Sequence, residues 1–343
     1  MKTYRYYILY ICVMLCTLLS ASSCVVIEGD TLDDTQKGNF EALWKIMDEH
    51  YCFFSYKEKE LGVNWNEVHD RYAKQINKNM TNAQLFEVLC NMLSELKDGH
   101  VNLLASFDYG RNWSFYEEYP LNYNDSIVNA YLGHDYNIAS GLKYRIFDDN
   151  IGYVRCETFE DGIGNGNISV MLQNLATCSG VIIDVRSNGG GQLTKAHTLA
   201  SHFLDKSVII GYITHKTGKG HNDFSKRDTE WLHPSDGVRW QKPVVVLTNR
   251  GCFSACNDFV KCMKLCPNVT IMGDKTGGGS GMPFNSELPN GWQVRYSAVV
   301  YYDHNMQQTE FGIEPNIYVE MDGKDTDKKR DTLIEEARKF LTK

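Results

Sequence analysis

The 343-residue sequence has no excess of positive charge: 35 Lys and Arg residues stand against 43 Asp and Glu residues, for a formal net charge of −8. This balance argues against a surface that binds nucleic acid or an anionic membrane. Long apolar runs are also scarce, and the N-terminal one is shorter than the about 20 residues that a membrane span needs. Hydrophobic residues make up 43% of the chain and charged residues 23%, enough for a full core divided between two domains.

Zinc-knuckle spacing is missing from the cysteines. Four of the eleven cysteines cluster late in the chain, and gaps of three, five and three residues separate them, where a structural zinc site has gaps of two. Their apolar neighbours favour buried packing over a metal site or a disulfide, with the last three on one helix. The four are Cys252, Cys256, Cys262 and Cys266.

The N-terminus has the pattern of an export signal. Basic residues precede an apolar run from Tyr6 to Leu19, and small residues follow it, which predicts a secretory signal peptide over residues 1–23. Cys24 comes next and resembles the lipidated cysteine of a bacterial lipobox; plain cleavage and release is the alternative. We therefore expect an exported envelope protein, an outer-membrane lipoprotein whose linker (24–34) touches the membrane only through lipid.

The rest of the sequence divides into two parts with different hydrophobic patterns. Three amphipathic helical patterns, the third opened by a Thr81–Gln84 capping box, predict an N-terminal helical domain over residues 35–103. Residues 104–150 show no clear period. From residue 151 short apolar runs alternate with amphipathic stretches, which predicts an α/β fold; the second domain is placed at 104–343.

A serine stands at one predicted strand-to-helix junction. Ser254 follows the apolar strand Val244 to Thr248 and precedes a helical pattern, so a tight turn could expose its hydroxyl beside the free N–H groups of a helix N-terminus. Taken alone, this segment favours an ordinary helix N-cap.

A second junction carries three consecutive glycines, Gly189 to Gly191. Glycine allows positive φ and close backbone approach, so these N–H groups could stabilise an oxyanion; a plain tight turn is the alternative. The loop lacks the Gly-Lys-Ser/Thr ending of a nucleotide-binding loop, which argues against phosphate. His100 follows a predicted helix end, where an isolated histidine is more often structural. Two further loops, 273–281 and 309–317, are rich in glycine or carry glutamates.

In this order and spacing the five segments resemble the family of tail-specific, or C-terminal-processing, serine peptidases and their tricorn-like relatives. The resemblance covers most of the chain from about residue 40. It implies a crotonase-like (ClpP/crotonase) α/β core that cleaves polypeptides through an acyl-enzyme, without metal or organic cofactor. It also implies Ser254 as the nucleophile, the N–H groups of Gly190 and Ala255 as the oxyanion hole, and His100 as the family's histidine.

The family uses two kinds of base. In the processing branch a lysine lies within the glycine loop, but Gly279 occupies that place here and Lys275 lies four residues earlier. Because a serine hydroxyl is a poor nucleophile until a base removes its proton, another base is required. His100 fits this role, as in the tricorn-like branch, since imidazole titrates near neutral pH.

In that branch a glutamate and a hydroxyl beside the histidine complete the site. We expect Glu310 to be the glutamate, with Glu314 as the second candidate. Gly99 stands where the branch often has serine, which puts the orienting network in question. The about fifty residues between Val101 and Ile151 are too few for the PDZ domain that many members carry.

The sequence therefore predicts a serine peptidase that acts on exported polypeptides. The alternative is a non-catalytic protein that holds a peptide or an apolar ligand on the same scaffold. An acyl-coenzyme A enzyme is disfavoured because no basic site for nucleotide phosphates is evident. The sequence makes no prediction of the oligomeric state.

Overall fold

The computed structural model describes residues 33–111 and 116–343, so the predicted signal peptide and Cys24 lie outside the described residues. Among the described residues no helix has the length and apolar character of a membrane span. The helices are α1 (Gln36–His50), α2 (Phe54–Leu61), α3 (Trp65–Ala73), α4 (Asn82–Ser94), α5 (Asp125–Leu132), α6 (Asn165–Asn174), α7 (Leu193–Ser201), α8 (Ala255–Met263), α9 (Gly323–Asp327) and α10 (Thr332–Leu341). The strands are β1 (Asn102–Leu104), β2 (Tyr109–Arg111), β3 (Asn137–Ala139), β4 (Leu142–Ile146), β5 (Ile151–Cys156), β6 (Gly180–Asp184), β7 (Val208–His215), β8 (Asp228–Leu232), β9 (Val244–Thr248), β10 (Val269–Gly273), β11 (Gly281–Glu287), β12 (Gln293–Asp303) and β13 (Ile317–Tyr318).

A seven-stranded sheet forms the centre of the α/β part, in the order β13-β10-β9-β6-β5-β4-β3. The strands from β13 to β5 are parallel, and β4 and β3 add antiparallel pairs at one edge. Alternate residues of the buried strands enter two cores: one face packs against α6, α7 and α8, and the other packs against α5 and α10. Both faces of a mainly parallel sheet are thus covered by helices. The predicted mixed α/β fold is confirmed.

A second sheet connects the helical region to this core. It has six strands in the order β2-β1-β12-β7-β8, with β11 on the other side of β12. Residues of α1 to α4 share one hydrophobic core with residues of β12, among them Val294 and Val300. Strand β1 spans the predicted boundary at residue 103 and pairs with β12. The helical residues therefore pack on a strand that comes about 200 or more positions later in the chain.

The cysteine cluster packs inside the α/β part. Its four members are free and buried, as the apolar surroundings indicate. The prediction of one helix for the last three is wrong at its end: α8 stops at Met263, so Cys266 lies in the turn that follows. The helix ends one turn before β10 because the chain must reverse to enter that parallel strand.

Candidate active site

Ser254 lies in a sharp turn between β9 and α8. Its backbone angles, φ 57° and ψ −122°, are unusual for a residue with a side chain, and such strain costs about 1–3 kcal/mol. Two bonds hold the turn, since the Ser254 N–H donates to Gly278 O at 2.9 Å and the Phe253 N–H donates to Asn188 O at 3.0 Å. The serine that fitted an ordinary N-cap makes no side-chain cap bond to the helix. Its hydroxyl instead faces a cleft.

His100 reaches this hydroxyl from the turn that follows α4. Its Nε2 lies 3.0 Å from Ser254 Oγ, although the two residues are 154 positions apart. The ring packs against Phe253, with 4.8 Å between ring centroids, and the residue is only 3% exposed. The folded chain therefore joins the two residues that sequence analysis paired.

Asp98 fixes the backbone of His100. Its Oδ1 accepts the His100 N–H at 2.8 Å, and its Oδ2 accepts hydroxyl bonds from Tyr51 at 2.9 Å and Ser297 at 3.1 Å. Sequence analysis did not single out either hydroxyl, because Tyr51 follows an amphipathic helical pattern and Ser297 lies in an apolar strand pattern. They orient the aspartate and not the imidazole. Among the described residues, His100 Nδ1 has no hydrogen-bond partner.

The buried position of His100 determines its protonation. Burial lowers the pKa of His100 to about 4; Asp98 opposes this shift, while Arg295 and Lys57 add to it. The imidazole is therefore neutral at pH 7. A neutral Nε2 at 3.0 Å from Ser254 Oγ can accept the hydroxyl proton.

The glycine loop lies directly against the serine turn. Gly190 has φ 104°, and a Cβ added there would lie 2.7 Å from Phe253 O, 2.8 Å from Ser254 Cβ and 2.9 Å from Ala255 N. Only glycine can occupy this position without displacing the turn. Ala255 is the first residue of α8, so its N–H has no acceptor within the helix. The Gly190 N–H differs from expectation, because it donates to Asn188 Oδ1 at 2.9 Å and is not a free donor here.

A buried cluster of charged side chains, formed by Arg186, Asp184 and Asp331, lies next to the start of the glycine loop. The Arg186 guanidinium donates to both carboxylate oxygens of Asp184, at 2.9 and 2.6 Å, and to both of Asp331, at 3.1 and 3.0 Å. None of the three side chains is exposed. Asp331 is also the N-cap of α10. The start of the loop is thereby tied to the C-terminal helix.

Glu310 is buried close to the site but does not contact the histidine. Its Oε1 accepts from Lys57 Nζ at 3.1 Å, and its Oε2 accepts from the Ser280 N–H at 2.9 Å. Burial raises the pKa of Glu310 to about 7, and Lys57 opposes the rise. Glu314, the second candidate, is exposed and pairs with Lys275 at 3.0 Å. Of the two glutamates only Glu310 is near the cleft.

Lys57 is a residue that sequence analysis missed. It comes from α2, is fully buried, and also donates to Lys97 O at 3.0 Å. Its ammonium lies 4.2 Å from the centroid of the Phe311 ring. No local signal distinguishes it from other lysines of the chain, because its partner Glu310 is 253 positions away.

The place of the processing-branch lysine cannot hold a long side chain here. Gly279 has φ 78°, and an added Cβ would lie 2.4 Å from the Phe253 ring. Lys275 is partly exposed and its charge pairs with Glu314. Neither position offers a second base to Ser254.

A cleft of about 310 Å³ opens beside the hydroxyl. Its wall includes the loop residue Gly191 and side chains from β11, β12 and α8. Close to this cleft, His197, Asp258 and Cys262 bring potential metal-ligand atoms within 4.8 Å of one another. The Lys261 ammonium lies 2.5 Å from Asp258 and already supplies the positive charge that a cation would bring. A strained serine, a neutral histidine and a free helix N–H at one cleft form the arrangement of a serine hydrolase.

Comparisons with known proteins show which family this chain resembles. The model of peptidase family S41 matches residues 150–319, and that of the tricorn protease C1 domain matches residues 33–94. A candidate peptidase from Parabacteroides merdae, solved by crystallography, is 50% identical; the match covers 90% of this chain and 97% of that one, with a TM-score of 0.86. The structure of mature CPAF is 12% identical at a TM-score of 0.67, over 90% of this chain and 96% of that one, which shows the fold alone.

A curated relative, the carboxy-terminal-processing protease of Bartonella bacilliformis, is 26% identical over 57% of this chain and 44% of its own length. The chain thus spans less than half the length of that relative. The protein belongs to peptidase family S41 and is a serine peptidase by class, as the tail-specific resemblance predicted.

Proposed function

We propose that this protein hydrolyses peptide bonds in polypeptides through an acyl-enzyme on Ser254, with His100 as the general base. The observation that carries the proposal is the 3.0 Å contact between a neutral, buried imidazole and a strained serine hydroxyl. The relatives named as processing proteases support a polypeptide substrate. No step requires a metal or an organic cofactor.

In the first half-reaction His100 Nε2 accepts the proton of Ser254 Oγ while this oxygen attacks the peptide carbonyl carbon. The oxyanion then accepts the N–H of Ala255 at the start of α8, where the helix dipole favours negative charge. Collapse expels the amine, which takes the proton from His100. Water, activated by the same imidazole, hydrolyses the ester and restores the serine.

Gly190 is proposed as the second oxyanion donor. Since its N–H donates to Asn188 Oδ1, substrate binding must either share this N–H between two acceptors or turn the asparagine away. The close packing of Gly190 against Ser254 and Ala255 supports the proposal that its N–H lies near the oxyanion.

Glu310 is proposed to act by positioning. It accepts the Ser280 N–H and pairs with Lys57, so it holds the glycine-rich loop that also accepts the Ser254 N–H through Gly278. We also propose that the α/β core is crotonase-like, as the family resemblance implies. Helices on both sides of a mainly parallel sheet are compatible with this fold.

The site of action is proposed from the N-terminal pattern. A signal peptide over residues 1–23 and a lipid on Cys24 would place the enzyme in the cell envelope with exported polypeptides as its substrates. Metabolic labelling with palmitate, compared between the parent and Cys24→Ala, tests the lipid. Equal labelling would refute it.

The first test of the mechanism compares serine variants on a denatured protein or a peptide library. Ser254→Ala should reduce peptide hydrolysis to background, because the proposed ester forms on the Ser254 hydroxyl. Ser207→Ala is the matched control: its Oγ also contacts a histidine, His233, at 2.7 Å, but it is exposed and outside the cleft. Equal hydrolysis by Ser254→Ala and the parent would exclude Ser254 as the nucleophile.

The second test separates the two possible bases. His100→Ala should lower kcat by about three orders of magnitude or more, whereas Lys275→Ala should lower it less than about threefold. The reverse ranking would return the protein to the lysine-dependent branch.

A further inference from the structure

The cleft beside Ser254 contains an arginine that its neighbours do not neutralise. Arg295 lies on β12 and lines the same cavity as Ser254 and Ala255. Residues two apart on a strand point to the same face, and Ser297 of that strand reaches Asp98, the partner of His100. Arg295 therefore points to the histidine side of the cleft. Among the residues that the structure describes, no hydrogen bond or ion pair engages its guanidinium.

The acidic residue of the cleft is already paired. Asp258 Oδ1 lies 2.5 Å from Lys261 Nζ, and its Oδ2 lies 2.6 Å from His197 Nε2. These partners belong to α7 and α8. Of the two charged side chains that line the cavity, Asp258 is thus paired and Arg295 is not, although the chain as a whole is acidic with a net charge of −8.

An arginine in such surroundings favours a particular chemical group. Its planar fork matches the two oxygens of a carboxylate, and Arg–carboxylate bonds are stronger than neutral hydrogen bonds. Apolar side chains of Met282, Pro283 and Tyr301 form neighbouring walls of the cavity. They keep the contact partly away from water, which strengthens it.

We propose that Arg295 binds a carboxylate of the polypeptide substrate next to the scissile bond, either an acidic side chain or the free C-terminus. The proposal rests on the peptidase function proposed above and adds the chemistry that the cleft selects. Cleavage is then directed to bonds that have a carboxylate within a few residues.

The test measures binding separately from cleavage. Labelled eight-residue alanine–leucine peptides, with Glu or Gln at each position in turn and a C-terminal acid or amide, are titrated by fluorescence anisotropy into the Ser254→Ala protein at pH 8. The Glu/Gln arm reports a side-chain carboxylate, and the acid/amide arm reports the C-terminus. We expect about 10- to 100-fold tighter binding in at least one arm. That advantage should shrink between 50 and 500 mM salt as the part-exposed charge is screened.

The arginine is then changed in the same background. Arg295→Met and Arg295→Gln should abolish the preference, and Arg295→Lys should keep part of it because the charge remains while the fork is lost. Arg227→Met is the matched control: it removes an exposed cation, packed on the Tyr302 ring of the same strand, that does not line the cavity. This variant should keep the full preference. Circular dichroism of each variant checks that it is folded.

Two kinds of result would overturn the proposal. One is a preference below threefold in both arms, or no measurable binding of any carboxylate peptide at 1 mM. The other is a preference that survives in folded Arg295→Met and Arg295→Gln. Hydrolysis by the parent is assayed in parallel: carboxylate-dependent binding without hydrolysis refutes only the peptidase function, whereas hydrolysis without carboxylate preference refutes only the role of Arg295.

Discussion

Replacing Lys57 by methionine should destabilise the protein by about 3–5 kcal/mol at pH 8, because Glu310 is then buried without its cation and must either stay charged and unpaired or take up a proton far above its pKa in the unfolded chain. The side chains of this pair are 0% and 1% exposed and their charged atoms are 3.1 Å apart, so water cannot replace the lost partner. The double variant Lys57→Met/Glu310→Gln removes both charges at similar side-chain volume. Its free energy of unfolding should lie within about 1.5 kcal/mol of that of the parent. Urea unfolding followed by tryptophan fluorescence measures all three proteins.

The pH dependence of the single variant provides a second readout. Burial raises the pKa of Glu310 from 4.5 to about 7, and Lys57 opposes the rise, so removing Lys57 raises this pKa further. A carboxyl group with a raised folded-state pKa contributes its full stability below the unfolded pKa and loses it as pH rises through the folded pKa. The loss caused by Lys57→Met should therefore be smaller at pH 5, where Glu310 is protonated, than at pH 8.

Lys59 is the matched control on the same helix. Its side chain is 79% exposed and pairs with Glu60, so Lys59→Met should change the free energy of unfolding by less than about 0.5 kcal/mol. The reasoning fails if Lys57→Met costs less than about 1 kcal/mol at pH 8. It also fails if the double variant is as unstable as the single one.

Two further predictions concern catalysis. The pH profile of kcat/KM should fall on the acid side near pH 4 to 5, because burial lowers the pKa of His100 to about 4 and the base is lost only when His100 is protonated. The same fall should be seen in Glu310→Gln. A fall centred at pH 6.5 would contradict a buried base. Gly190→Ala should lower kcat by about 100-fold or more, since the new Cβ would lie 2.7 and 2.9 Å from backbone atoms of the serine turn. Gly189→Ala is the control and should remain active, because its Cβ would meet nothing within 4 Å. Equal activity of Gly190→Ala and the parent would exclude Gly190 from the oxyanion site.

The long periodic elements could be predicted from the sequence. Hydrophobic residues recur on one face of the helices and fill most positions of the buried strands, and these patterns can be read from short stretches of sequence. They mark strands β5, β6, β9, β10 and β12 and the helices between them. The capping box of Thr81 and Gln84 also marks its helix start correctly. Such features depend only on residues close in the chain.

The segment 104–150 remained unassigned for a physical reason. Strands β2 and β3 of this segment, and β1 that ends at its first residue, are three residues each, too short to show alternation. Strand β1 is stabilised by pairing with β12, whose residues lie far away in sequence. Helix α2 was missed as well, although Gly62 ends it in a left-handed turn that glycine favours.

The site was predictable only in part. The pairing of His100 with Ser254 came from the family resemblance, because residues 154 positions apart leave no spacing signal. Lys57 and Arg295 gave no signal at all. A lysine becomes buried only when its carboxylate partner is brought to it, and an arginine becomes unpaired only when its strand faces a cleft from which carboxylates are absent or already neutralised.

The bond between Arg186 and Asp331 makes the last helix a structural requirement of the reaction centre. Cutting the chain before Asp331 would remove two of the guanidinium's carboxylate contacts and expose the buried Arg186 next to the glycine loop 189–191. Residues 331–343 are accordingly needed to hold the glycine loop against the turn of Ser254.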